Sequence, residues 1–170
     1  MKRAFVLILG LFLLIVGCGY NFRGGQNNLP PDVRSVAIPL FKNRTAEVGI
    51  ESTFTNEVIY QFTRSQMVRV TAPSEADAVL YGEITRVTLE DIAFTSQDSS
   101  QETRVTVYVA AKLVRTRDGK TLWRANRLSK NRNYRVTGST TATDDSRGAA
   151  ITLVAQDLAQ TLHDSIFENF

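Results

Sequence analysis

The alternation between Val105 and Leu113 constrains this chain more than any other feature. Val105, Val107, Val109, Ala111 and Leu113 take every second position, with Thr106, Tyr108 and Lys112 between them. Successive side chains point to opposite faces of a strand, so this is a half-buried strand of an antiparallel sheet. Asp118-Gly119 follows, a hairpin signal because both positions tolerate positive φ, and Leu122 to Arg135 returns as the partner. A strict two-residue turn sets Arg124 opposite Leu113. A three-residue turn with Gly119 in the left-handed region sets Trp123 opposite Leu113 and Ala125 opposite Ala111. The second register keeps the apolar faces together and is the expected one, although Leu128 then falls on the polar parity.

The rest of the chain supplies partners for this hairpin. Ala78 to Phe94 is a long extended segment whose apolar parity switches: Leu80 and Ile84 share one face, Val87 and Leu89 the other. A bulge or a change of neighbours would explain such a switch. Val36 to Leu40 reads as a short strand in which Pro39 marks an edge or an end, and Met67 to Val70 as another. Phe41 to Thr45 is a turn, and residues 95–103 and 137–142 are polar loops. Ile50, Phe54, Val58 and Phe62 recur at helical spacing. A second helix is expected to start at Thr143-Asp144-Asp145-Ser146, with a capping hydroxyl and acids in its first turn. Its stripe runs through Ile151, Val154, Leu158, Leu162 and Ile166. The expected class is α+β, a two-layer sandwich with two amphipathic helices on one face of a mostly antiparallel sheet.

The first eighteen residues, MKRAFVLILGLFLLIVGC, set the compartment. Lys2 and Arg3 precede an uncharged apolar run from Ala4 to Val16. A helix needs ~20 apolar residues to cross a bilayer, so this run matches a secretory signal and not an anchor. Ile15-Val16-Gly17-Cys18 resembles the bacterial lipobox, in which the cysteine sulfur is the nucleophile that takes a diacylglyceryl group. The expected organisation is a cleaved signal over 1–17, a lipidated Cys18 with a tether to residue 35, and one domain over 36–170. Gly19 is not the Asp that resembles an inner-membrane retention signal, so the expected destination is the outer membrane, facing the periplasm.

Charge must then be recounted. The whole chain carries +3, but loss of Lys2 and Arg3 leaves eighteen basic groups against seventeen acidic. Overall basicity therefore says nothing of nucleic acid, and none is expected as a partner. Local charge is more informative. Ten basic residues and one acid, Asp118, lie between Arg104 and Arg135, while residues 46–103 hold ten acids and three bases. Arg104, Lys130, Arg132 and Arg135 fall at the hairpin end beside the two polar loops and form the candidate anion site. Arg115, Arg117 and Lys120 fall at the other end. A solubilising rim is the bland alternative.

Chemistry is otherwise sparse. One cysteine and one histidine exclude a disulfide and a Cys- or His-rich metal cage. No G-x-S-x-G, P-loop or G-x-G-x-x-G is present. Glu90-Asp91 point to opposite faces of a strand, and His163 lies off the apolar stripe as a solvated surface residue. No catalytic residue, cofactor or metal is expected, and the chain reads as a binding protein.

Cys18-Gly19-Tyr20-Asn21-Phe22-Arg23-Gly24, Leu29-Pro30-Pro31 and Val36-Ala37-Ile38-Pro39-Leu40-Phe41-Lys42-Asn43-Arg44-Thr45 resemble the lipopolysaccharide-assembly lipoprotein family, LptE. The match continues through Ala76-Asp77-Ala78-Val79-Leu80-Tyr81-Gly82-Glu83-Ile84, Gly119-Lys120-Thr121-Leu122-Trp123 and the closing helix. Asn21 departs from the His that many members carry. The resemblance implies two helices on a four-stranded sheet. It also implies a partner, the outer-membrane β-barrel LptD, whose lumen the lipoprotein partly plugs, and contact with lipopolysaccharide during delivery to the outer leaflet. A second resemblance, over residues 36–84, is to curli-secretion-type lipoproteins that form homo-oligomeric rings. Residues 78–135 would then supply membrane strands, with Lys112, Arg115, Arg124 and Arg127 costly against lipid.

Overall fold

The computed structural model describes residues 29–94 and 100–167. In chain order these form β1 (Ser35–Ala37), β2 (Lys42–Asn43), α1 (Ile50–Ser65), β3 (Arg69–Val70), β4 (Ala78–Phe94), β5 (Ser100–Arg115), β6 (Thr121–Arg135) and α2 (Thr140–Phe167). The sheet runs β3-β1-β4-β5-β6, with β2 also on β4. β4, β5 and β6 pair antiparallel, whereas β1 is parallel to β3 and β4, and β2 to β4. The α+β class stands, but the sheet has six strands and is mixed, not four-stranded. β3 falls within the strand expected at Met67 to Val70, but β2 lies in the segment expected as a turn, since a strand of two residues shows no alternation. β1 is internal, so Pro39 lies beyond a strand end and not on an edge.

The register of the long hairpin follows the apolar faces. Leu113 faces Trp123 and Ala111 faces Ala125, as expected. The route differs. Arg115 N–H donates to Lys120 O at 2.8 Å and Gly119 N–H to Arg115 O at 3.0 Å, closing a four-residue loop with Gly119 at φ 68°. A one-residue shift at Leu122 then restores the pairing. A second shift leaves Asn126 and Arg127 opposite Ala110 alone and brings Leu128 opposite Val109. That bulge moves Leu128 from the polar parity onto the core. The parity switch in β4 has the same cause: the register slips between Ile84 and Arg86, with Thr85 left over.

The helices cover one face of the sheet and run parallel, since Glu57 meets Gln156 and Phe62 meets His163. Ile50, Phe54, Val58 and Phe62 of α1 are buried, as are Ile151, Val154, Leu158, Leu162 and Ile166 of α2. α2 begins three residues before the expected start. Ser139 caps it, its Oγ accepting from Ala142 N–H and its carbonyl from Thr143 N–H. Residues 100–103, expected in a loop, belong to β5, and buried Thr103 donates its hydroxyl to Asp91 Oδ1 at 2.7 Å. Residues 95–99 lie outside the described part.

Between β1 and β2 the chain leaves the sheet, and this detour shapes the core. Phe41 N–H donates to Thr55 Oγ1 at 3.0 Å, and the Phe41 ring, 2% exposed, sits beneath Gly82. A Cβ at position 82 would lie 2.0 Å from that ring, so only glycine permits the approach. The core also begins earlier than residue 36: Leu29 and Val33 are buried in it.

Candidate functional site

Among the described residues the opposite face of the sheet carries no helix, and it holds the side chains that alternation turned outward. Because Val105, Val107, Val109, Ala111 and Leu113 are buried beneath the helices, Arg104, Thr106, Tyr108, Ala110 and Lys112 point the other way. Direct partners share a face, which adds Tyr81 and Arg124 beside Lys112, Arg86 and Ser129 beside Tyr108, and Glu90 and Asn133 beside Arg104. Aromatic rings and cations interleave here. The Arg127 guanidinium stands 4.8 Å over the Tyr108 ring, and Lys112 Nζ 5.7 Å from the Tyr81 ring centre. A shallow cleft of about 570 Å³ opens between Leu40, Tyr81, Lys112 and Arg124, with Lys42 and Glu83 on its rim and Ala110 in its floor.

The four cations expected to form one anion site do not share a face. Lys130 and Arg132 pair with Val107 and Val105, which places them on the helix side. Arg132 Nη2 reaches Asp157 Oδ2 of α2 at 2.6 Å, and both basic residues line a cleft with Gln160 and Asp164. Arg104 and Arg135 point outward. Arg104 Nε donates to Asn133 Oδ1 at 3.3 Å and its Nη1 is 4.0 Å from Glu90 Oε2. Residues of unlike parity on one strand diverge, which is why a run of cations in sequence is split here two and two.

The hairpin tip is internally neutralised. Buried Arg115 lies 3.2 Å from Asp118 and 3.6 Å from Asp32, and Arg117 lies 3.3 Å from Asp32. The Lys120 backbone N–H, with Arg115 and Arg117 nearby, holds the Asp118 carboxyl below its ordinary range. Beside this corner Asp77 Oδ2 accepts from Ser35 Oγ at 2.8 Å, Ser35 N–H at 2.9 Å and Arg34 N–H at 3.0 Å. The Ser35 hydroxyl, then the Arg34 amide, lowers its pKa. These contacts fasten the incoming chain to the start of β4. Arg147 of α2 pairs with Glu47 ahead of α1, which raises the guanidinium pKa and ties the helices together.

His163 is not a solvated surface residue. Its ring packs 5.3 Å from Phe62 and 4.7 Å from Phe167, and its Nδ1 meets Asp164 Oδ1 at 3.1 Å. It faces the junction of the two helices because position 163 adjoins the Leu162 stripe near the C-terminal ends of both. Cys18 lies outside the described residues. Sequence reasoning missed the outward row Tyr81, Lys112 and Arg124; the signal was the even-numbered positions of β5 together with the register of both neighbours.

The model of the lipopolysaccharide-assembly family LptE matches residues 33–166. No curated protein matches the chain in sequence. Several solved structures share its fold. Lipoprotein B from Nitrosomonas europaea is 16% identical, with a TM-score of 0.54 over 88% of this chain and 90% of its own. The rare lipoprotein B of Shewanella oneidensis is 13% identical, with a TM-score of 0.52 over 78% and 92%. PelC from Paraburkholderia phytofirmans, a dodecamer, is 14% identical, with a TM-score of 0.53 over 85% and 95%.

Proposed function

Because the chain belongs to the LptE lipopolysaccharide-assembly family, we propose that it is a lipid-anchored lipoprotein of the outer membrane that helps the LptD β-barrel assemble. It occupies part of that barrel's lumen and contacts lipopolysaccharide on its way to the outer leaflet. The family match across the folded domain carries this reading. The lipobox-like ending at Cys18 supports the anchor, since several acyl chains hold a protein stably where one does not. The sheet face opposite the helices, with its cations and tyrosines, supports contact with a phosphate-bearing glycolipid. The role is one of binding, without a catalytic residue, cofactor or metal.

Depletion tests it. Loss of this protein lowers the amount of correctly folded LptD and opens the outer membrane to bulky hydrophobic antibiotics. Normal barrel levels behind an intact barrier would overturn the proposal. The alternative is a homo-oligomeric ring, a reading favoured by the dodecameric assembly of PelC on the same fold. Size in mild detergent separates a complex with one large barrel from a ring of copies.

A further inference from the structure

We infer that the cleft between Leu40 and the cross-strand row Tyr81, Lys112 and Arg124 holds a phosphate at the lipid end of lipopolysaccharide. This site deepens the proposed function and rests on it. Lys112 is the direct partner of both Tyr81 and Arg124, so two cations stand side by side on adjacent strands. Like charges directly opposite one another destabilise a sheet. Among the described residues no carboxylate lies within ion-pair distance of Lys112, Arg124 or Lys42. The one acid on the rim, Glu83, is taken by Arg44 Nε at 3.0 Å. An anion placed over the row converts this repulsion into attraction.

The remaining walls select what carries the anion. Leu40 is 62% exposed and Tyr81 47%, and both border the cleft. An inorganic ion would use the cations and leave this apolar surface wet. A phosphate on an apolar body uses both. The Arg124 guanidinium binds phosphate oxygens through a planar fork, and Lys42 and Lys112 add point charges. Tyr81 guides the Lys112 ammonium through its ring face. The floor is rigid, because Gly82 rests on the buried Phe41 ring. Such a site is distinct from the Arg104 end of the sheet, where Glu90 and Asn133 already engage the guanidinium.

The test uses the purified full-length lipoprotein with Lys112→Gln and Arg124→Gln combined, and Arg132→Gln as a control on the helix side. Binding is measured to lipopolysaccharide, to lipopolysaccharide stripped of its lipid-end phosphates, and to phosphatidylglycerol vesicles. The double variant should bind lipopolysaccharide roughly tenfold to a hundredfold more weakly, the loss of one or two charge-assisted hydrogen bonds. The wild type should bind the stripped form as weakly, and the control should bind normally. Because like-charge repulsion is relieved, the double variant should melt at or above the wild-type temperature; a lower one refutes the electrostatic premise. Wild-type binding that persists in the double variant overturns the site alone. No lipopolysaccharide binding by the wild type overturns the functional reading and the site with it. Equal loss of vesicle binding overturns the assignment to lipopolysaccharide.

Discussion

Adding one methyl group at Gly82 should destabilise this protein, because the space it would take is already filled. An ideal Cβ there would lie 2.0, 2.2 and 2.3 Å from Cε2, Cζ and Cδ2 of Phe41. Carbon atoms rest at ~3.5–4.0 Å, so the ring must recede by roughly 1.5 Å. It has nowhere to go. Phe41 is 2% exposed and lies in one layer with Phe54, Val58, Leu158 and Leu162, and its amide is held by Thr55 Oγ1. Forcing the layer apart costs about 1–3 kcal/mol. Ejecting the ring costs about 3–5 kcal/mol. Gly82→Ala should therefore lose about 3 kcal/mol, which for a chain of this length lowers Tm by about 6–12 °C. The sign is diagnostic, because Gly→Ala at an uncrowded position stabilises by ~0.4–1 kcal/mol through the unfolded chain. Urea unfolding followed by circular dichroism gives the value, with the slope unchanged. Phe41→Leu in the Gly82→Ala background should restore part of the loss as a favourable coupling of about 1–2 kcal/mol. A Gly82→Ala variant within ~0.5 kcal/mol of wild type, or zero coupling to position 41, would refute the packing described.

Other outcomes follow from the same contacts. Phe54→Ala and Leu158→Ala should each cost about 2–5 kcal/mol, since both side chains are buried where the helices meet the sheet; near-normal melting of either would contradict that layer. Asp77 has a folded pKa below its unfolded value of ~3.9. Its contribution to stability is complete above that unfolded value and is lost as pH falls through the folded one. Asp77→Asn should thus reduce stability at neutral pH and flatten its fall below about pH 4, with Asp118 retaining part of the slope; an unchanged profile would remove the role given to the Ser35 hydroxyl. Cys18→Ala should abolish palmitate incorporation and signal cleavage, and labelling that persisted would refute the lipobox assignment.

Much of the architecture was legible because alternation and helical spacing are strong signals. Val105 to Leu113 revealed β5, and the need to keep Trp123 and Ala125 with its apolar face led to the correct register. The parity switch in β4 pointed to a bulge or a change of neighbours, and a bulge at Thr85 is what forms. Leu128 was not legible, because the remedy is a second bulge at Asn126 and Arg127 that no residue type announces. β3 falls within the strand read at Met67 to Val70, whereas β2, in the segment expected as a turn, was hidden by its length of two residues. The start of α2 was misplaced because Thr143 and the acids after it imitate a cap, while the capping Ser139 stands four residues earlier. The anion site was the least legible feature. Arg104, Lys130, Arg132 and Arg135 are close in sequence, but strand parity separates them. Lys112 and Arg124 are far apart in sequence, and register makes them neighbours.

Affinity purification of this lipoprotein from outer-membrane extracts in mild detergent asks whether it is bound to a barrel. One large β-barrel, LptD, should co-purify in equal amount, and the complex should have the size of one barrel with one lipoprotein. A homo-oligomeric ring without a barrel, or a lipoprotein that purifies alone, would contradict it.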